Sequence, residues 1–336
     1  DYQKWAKDQD IISYDSYPTY DAPAYKAAFL YDLMRSLKHQ PFMLMESAPS
    51  QVNWQPYSPL KRPGQMEATE FQAVAHGADT VQFFQLKQSV GGSEKFHSAV
   101  IAHSQRTDTR VFKELADLGK KLKNAGPTIL GSKTKAKVAI VFDWSNFWSY
   151  EYVDGITQDL NYVDSILDYY RQFYERNIPT DIIGVDDDFS NYDLVVAPVL
   201  YMVKPGLDKK INDYVENGGN FVTTYMSGMV NSSDNVYLGG YPGTLKEITG
   251  IWVEESDAVV PGQKIKVLMN GKDYDTGLMC DLIHPNDAKI LATYASEFYA
   301  GTPAVTENQY GKGRAWYIGT RLEHQALTQL FNHIIF

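Results

Sequence analysis

Hydrophobic positions along the chain switch between two periods, and the switches divide it into elements. From about Ala24 to Lys38 the apolar residues Phe29, Leu30, Leu33, Met34 and Leu37 recur at helical spacing, which predicts a helix with one buried stripe. Before it, residues 9–18 read as a strand-like core that closes on Pro18. After it, the run Phe42 to Met45 is apolar and too short for a helix, so it predicts a buried strand, and that strand ends on a carboxylate, Glu46. A long loop carrying Trp54 and the turn-forming Lys61-Arg62-Pro63-Gly64 leads to a second predicted helix, from about Met66 to His76. A third strand is expected over Thr80 to Gln85, followed by a Gly91-Gly92 turn and a polar stretch at residues 93–97. Val111, Leu115, Leu118 and Leu122 mark a further amphipathic helix, expected to stop near Gly126-Pro127. This rhythm is that of parallel βα units. Three strands cannot close a barrel, and so small a parallel sheet leaves apolar edges. Either the remaining strands come from elsewhere or the chain is a fragment.

Around residues 126–137 the composition turns small, polar and basic, which places a domain boundary there. A second α/β series follows. Lys137 to Asp143 predicts a β-branched strand, and a helix from about Leu160 to Arg176 puts Val163, Ile166, Leu167, Tyr170 and Tyr174 on one face. Strands are expected at Asp181 to Gly184 and Leu194 to Val199. A helix over Leu207 to Glu216 is stopped by Asn217-Gly218-Gly219, and the next strand is Asn220 to Tyr225. This pattern predicts a doubly wound open sheet. From Gly239 it loosens into short strands, then returns at Lys289 to Tyr294 and Gly313 to Ile318 before a last helix from about Glu323 to Ile335.

Composition narrows the partners. At 336 residues, 44% of them hydrophobic, the chain has room for two domains with ordinary cores. Aromatics reach 13%, with 24 Tyr and 6 Trp; such rings stack on the C–H faces of sugars, although they also build cores. The formal net charge of −10 and the lack of long basic runs argue against a polyanion, so no nucleic-acid partner is expected. A single cysteine, Cys280, cannot form an internal disulfide, and no Cys/His spacing suggests a zinc site, so a reducing, cytoplasmic setting and no metal are expected. No apolar run approaches a membrane span and no signal peptide is visible, so no membrane association is expected. The chain begins with Asp1 and not with Met, consistent with the removal of a leader or of a larger N-terminal portion.

Glu46 is the first candidate for chemistry. In α/β barrels catalytic groups sit at the C-terminal ends of the strands, so a glutamate directly after a buried strand fits a nucleophile or an acid/base. A loop carboxylate capping a neighbouring helix explains the same position equally well.

Six blocks carry a resemblance. They are Glu46-Ser-Ala-Pro-Ser-Gln-Val-Asn-Trp54, Lys61-Arg-Pro-Gly64, Ala75-His-Gly-Ala-Asp79, Phe83-Phe-Gln85, Gly91-Gly-Ser-Glu-Lys-Phe-His97 and Asp108-Thr-Arg-Val-Phe112. In this order and at this spacing they resemble the β-galactosidases of glycoside hydrolase family 42, and residues 136–336 resemble that family's α/β trimerisation domain. The resemblance implies an α/β chain in which residues 1–128 form the C-terminal portion of a (β/α)8 TIM barrel, about strands 6 to 8. Residues 136–336 would be a doubly wound, flavodoxin-like or amidotransferase-like domain. It implies retaining hydrolysis of terminal β-D-galactosides without a cofactor, in a homotrimer. Glu46 matches the family's nucleophile, Trp54 and Phe84 its galactose subsite, Glu94 and His97 a pair gripping sugar hydroxyls, and Tyr17 a further subsite residue. Apart from the resemblance, Glu94 and His97 read as an exposed loop pair, and His76 and His103 as structural.

Two departures qualify that match. Leu86-Lys87 stand where the family has an aromatic residue and an arginine; Leu cannot stack and Lys cannot fork, so rim contacts change. More important, a retaining glycosidase needs two carboxyls about 5 Å apart. In the family the acid/base is typically the Glu of an Asn-Glu pair after the fourth strand, and no such pair precedes Glu46. Asp15, an upstream carboxyl at a strand end, reads as a subsite residue and not as the missing acid. The expectation is therefore a chain that holds the nucleophile, lacks the acid/base, and needs an N-terminal barrel half to work. The alternative role is a non-catalytic oligomerisation fragment. A ligand-binding second domain is disfavoured, because Asp143-Trp-Ser-Asn-Phe-Trp148 is too bulky for a phosphate cradle and Cys280 lies far from a nucleophile turn.

Overall fold

The computed structural model describes residues 1–335. They divide into two compact units, Asp1–Lys135 and a second that starts at Ala136.

In the first unit a short helix α1 (Tyr2–Ala6) is followed by β1 (Ser13–Ser16), α2 (Ala24–Ser36), β2 (Phe42–Ser47), α3 (Gln65–Ala75), β3 (Ala78–Val81) and α4 (Arg110–Ile129). The three strands form one parallel sheet in the order β1-β2-β3, as the βα rhythm requires. Phe42 and Leu44, two apart on the central strand, are wholly buried, and Phe42 stacks on Tyr31 of α2 with ring centroids 5.8 Å apart. One side of the sheet thus lies under helices, while Met45 on the other side is 37% exposed.

β1 is shorter than the strand expected over residues 9–18, and two further boundaries differ from the sequence reading. β3 occupies Ala78–Val81 instead of residues 80–85. Its chain still follows β2, with the Gln82 N–H donating to the Leu44 carbonyl and the Phe84 N–H to the Ser47 carbonyl, both at 3.0 Å, but the jump in partner breaks the ladder. The fourth helix runs through Pro127 to Ile129, because a proline in a last turn forfeits only one hydrogen bond.

The second unit contains β4 (Val138–Val141), α5 (Trp144–Tyr152), α6 (Tyr162–Tyr174), β5 (Thr180–Ile183), β6 (Leu194–Ala197), α7 (Leu207–Glu216) and β7 (Asn220–Thr224). Then come α8 (Lys246–Thr249), β8 (Ile251–Ala258), β9 (Ile265–Met269), β10 (Lys272–Pro285), β11 (Lys289–Tyr294), β12 (Pro303–Tyr310), β13 (Gly313–Ile318), β14 (Thr320–Leu322) and α9 (His324–Ile335). Strands β5, β4, β6, β7 and β13 are parallel neighbours in that order, the doubly wound α/β sheet expected from the pattern. On one face Ala139, Val141, Val195, Ala197 and Phe221 pack with Leu207, Ile211 and Val215 of α7. The alternate residues, among them Ile140, Ile182, Val196 and Val222, are equally buried on the opposite face. There α6 and α9 meet through Phe173 and Phe331, with ring centroids 5.3 Å apart.

The region that reads as loosened short strands is larger than the pattern suggested. β13 pairs on its other side with β12, antiparallel, and β11, β9, β10, β8 and β14 extend one mixed sheet of eleven strands. The segment after β4, read as a bulky loop, is the helix α5, capped by Asp143 through the Asn146 N–H. Among the described residues no helix is long and apolar enough to cross a membrane.

Candidate active site

Parallel strands bring their C-terminal ends to one edge, and this edge gathers the candidate residues of the first unit. Asp15 and Ser16 of β1 stand opposite Glu46 and Ser47 of β2, so Tyr17 leaves its strand beside Glu46. Phe84 follows the end of β3, its N–H on the Ser47 carbonyl.

A β-bulge decides where Glu46 points. On the β1 side the partners step from Tyr14–Leu44 to Asp15–Glu46, and on the β3 side hydrogen bonds step from Leu44 to Ser47 while the chain advances from Gln82 to Phe84. Both neighbours skip one residue of β2, Met45. Regular alternation would put Glu46 on the same face as Phe42 and Leu44, under the helices. With the extra residue the alternation resets: Ser47 is buried on the helical side, and Glu46 faces the other way, half-buried.

There the Tyr17 hydroxyl donates to Glu46 Oε2 at 2.8 Å. Burial, and then this bond to a carboxylate, raise the phenol well above its ordinary range, so it stays a neutral donor. Around the pair stand aromatic rings in edge-to-face contact. Tyr17 meets Trp54 at 5.4 Å and His97 at 5.8 Å between centroids, and Phe84 meets His97 at 5.1 Å. Trp54 remains 54% exposed, which leaves its indole open to a ligand. The imidazole of His97 is fully buried. Its Nδ1 lies 3.0 Å from the Ser98 carbonyl, which can only accept, so Nδ1 carries a proton and Nε2 is the ring's other polar atom. That Nε2 is buried and has no partner among the described residues. Glu94 joins through its carbonyl, which accepts from the His97 N–H at 2.9 Å, and through its charge, which acts on the Tyr17 phenol.

Long loops hold these groups because polar side chains cross-tie them. Gln55 Nε2 donates to the carbonyls of Tyr17 and Pro18, Asn53 Nδ2 to that of Ser93, and Gln88 Nε2 to that of His97. The Ser50 N–H donates to Ser98 Oγ, and the Ser98 N–H to the Gln51 carbonyl. All six sequence candidates, Tyr17, Glu46, Trp54, Phe84, Glu94 and His97, therefore fall in one cluster. Asp15 lies beside it, exposed, its carboxyl raised by burial of the group and by the Glu46 charge.

Three residues behind Glu46 escape a reading of chemistry from sequence. Glu70 of α3 has no exposed surface and accepts from Ser47 Oγ at 2.6 Å. Lys61 Nζ lies 3.9 Å from the same carboxylate and donates to the Ala48 carbonyl at 2.6 Å. Burial pushes the Glu70 carboxyl up and the Lys61 ammonium down, each effect opposed by the other's charge. The signal was present: Met66, Glu70 and Ala73 lie four and three residues apart on the buried stripe of α3, so the glutamate interrupts an apolar face. Among the described residues no three His, Cys, Asp or Glu side chains converge as a metal site.

Residues 1–125 match the family model described as β-galactosidase, and residues 136–336 match the model described as β-galactosidase trimerisation domain. The chain is 98% identical over 336 residues to β-galactosidase LacZ of Lactobacillus acidophilus, covering all of itself and 50% of that protein. It is 48% identical over 341 residues to β-galactosidase BgaP of a Planococcus species, again covering 50% of the relative. Its fold superposes with a TM-score of 0.96 on the crystal structure of a β-galactosidase from Bacillus circulans sp. alkalophilus, at 47% identity, over 99% of this chain and 50% of the other. It thus spans about half the length of the curated relatives it matches.

Proposed function

Since this chain belongs to the glycoside hydrolase family 42 β-galactosidases, we propose that it carries the nucleophile and one wall of the galactose pocket of a retaining β-D-galactosidase. One observation carries the reading: Glu46, turned by the bulge away from the helices, is held by the Tyr17 hydroxyl inside a rim of Trp54, Phe84 and His97.

The chemistry follows from these groups. Glu46 attacks the anomeric carbon as the bond to the aglycone oxygen breaks, giving a glycosyl-enzyme ester, and water then attacks the same carbon to release galactose with its configuration retained. Tyr17 fixes the carboxylate oxygen that does not attack. Trp54 and Phe84 offer apolar faces to the sugar's C–H bonds. His97 Nε2, buried and without a partner among the described residues, pairs with a sugar hydroxyl, and the Glu94 carboxylate grips a neighbouring one. The proton for the leaving group comes from a carboxylic acid on an N-terminal barrel half that completes the pocket. Asp15 shares the strand edge with Glu46 and serves the sugar or the nucleophile's electrostatics. We infer a homotrimer assembled through residues 136–336. The single cysteine, Cys280, has no second cysteine to form an internal disulfide with, and we infer a reducing, cytoplasmic setting.

The test is Glu46→Gln in a full-length enzyme that contains these residues, assayed with a nitrophenyl β-D-galactoside. A loss of at least about a thousandfold in kcat, with the circular dichroism unchanged, is expected of a nucleophile. Activity within an order of magnitude of the parent would remove Glu46 from that role. The match of residues 136–336 to a trimerisation domain favours a second reading, in which this chain alone serves assembly only. No turnover by the isolated chain, at its intact mass, is the outcome that reading shares with the first; measurable turnover would place an acid/base within these residues.

A further inference from the structure

We propose that Glu70, anchored by Lys61, is a positioning residue that locks the bulge of β2 through Ser47 and so aims Glu46; this rests on the reading of Glu46 as the nucleophile.

Ser47 is the hinge of the argument. Its side chain donates to Glu70 Oε1 at 2.6 Å and its carbonyl accepts from the Phe84 N–H at 3.0 Å, so one residue ties the nucleophile strand both to α3 and to the aromatic wall. A bulge has no ladder bond to hold its extra residue, and the alternation beyond it can return to the regular register. Reversion would carry Ser47 off the helical side and turn Glu46 under the helices. A fully buried acceptor on α3 that must be satisfied by the Ser47 hydroxyl opposes that reversion.

Lys61 explains how such a carboxylate is tolerated. A lone buried charge is costly, and the ammonium 3.9 Å away offsets part of that cost. The same ammonium donates to the Ala48 carbonyl, so it also fixes the first turn of the loop that leads to Trp54. Lys61, Glu70, Ser47 and Ala48 therefore form one continuous brace beneath Glu46. None of the four belongs to the sugar-facing cluster. Glu70 Oε2 has no partner among the described residues, and the carboxylate holds the strand through Oε1.

The experiment uses the full-length enzyme with Ser47→Ala, Ser47→Thr and Glu70→Gln, and Glu46→Ala as control. Each variant is treated with a 2-deoxy-2-fluorogalactoside bearing an activated leaving group, which traps the glycosyl-enzyme and reports the attack step per folded molecule. Ser47→Ala and Glu70→Gln are expected to slow trapping by at least about tenfold with the apparent dissociation constant within about threefold of the parent, because misaimed attack costs rate and not sugar binding. Ser47→Thr, which keeps the hydroxyl, is expected to restore most of the rate. Trapping within about twofold of the parent in both Ser47→Ala and Glu70→Gln would overturn the proposal, as would a loss shared equally by Ser47→Thr and Ser47→Ala. Should Glu70→Gln not fold, Ser47→Ala carries the test, since it leaves both buried charges in place. If the Glu46→Ala control is still trapped, it is the nucleophile assignment that fails.

Discussion

At the scale of single residues, the site depends on polar atoms placed where water is scarce. The Tyr17 phenol is raised by burial and by its bond to Glu46, so it cannot compete for the negative charge and acts only as a donor. Hydrogen bonds to charged groups contribute about 1.5–3 kcal/mol, which corresponds to about ten- to a hundredfold in rate if the bond serves the reacting geometry. Tyr17→Phe in the full-length enzyme is therefore expected to lower kcat/KM for a nitrophenyl galactoside by that range while leaving the unfolding temperature nearly unchanged. Rates within twofold of the parent would mean that the bond has no catalytic weight. His97 and Trp54 differ from Tyr17: His97 has a buried ring nitrogen without a partner among the described residues, and Trp54 an exposed indole. The residue types in this cluster were legible from their order along the chain. Glu70 was not read for chemistry, because a helix glutamate is ordinarily solvated and only its place on the Met66–Ala73 stripe marks it as buried.

At the scale of elements, the long strand β10 carries a buried acid that couples the second sheet to pH. Asp281 accepts from Ser256 of β8 and from Tyr317 of β13, and burial pushes its carboxyl up to about 6. A native-state value above the ordinary one near 3.8 means that the folded chain holds this proton more tightly than the unfolded chain. The stabilisation is complete below about pH 4 and is lost as pH rises through about 6. A shift of about two units corresponds to about 3 kcal/mol. Asp281→Asn removes the titration, so the difference in unfolding free energy between parent and variant is expected to fall by that order between pH 4 and 6 and to stay level from 7 to 8. A difference independent of pH over the whole range would show that Asp281 does not titrate there. The elements themselves were legible where one period ran unbroken, as in Leu207–Glu216 and Gly313–Ile318, whose observed limits coincide with the expected ones. They were least legible in β8 to β10, where partners lie in antiparallel neighbours and the alternation is interrupted by register shifts.

At the scale of the whole molecule the two units are unequal. The first has three parallel strands, of which β1 and β3 are paired on one side only among the described residues; the second has a mixed sheet of eleven. The proposed assembly rests on the second, through its match to the trimerisation-domain model. Multi-angle light scattering on the purified chain is expected to give the mass of three copies, and a single copy at micromolar concentration would count against residues 136–336 as the trimerising part. The sequence by itself determined the succession of elements, the boundary between the units and the order of the motif blocks, since each depends on residues close together along the chain. From that order came the family, and from the family the proposal that Glu46 is the nucleophile. Only the tertiary structure decided which way Glu46 faces. Regular alternation from Phe42 and Leu44 sends it under the helices, and the bulge at Met45 reverses it, yet nothing local to Phe42–Ser47 distinguishes the two registers. The choice is made by hydrogen bonds with residues 13 to 37 positions away, Lys61, Glu70 and Phe84, and such partners exist only once the strands and α3 have packed.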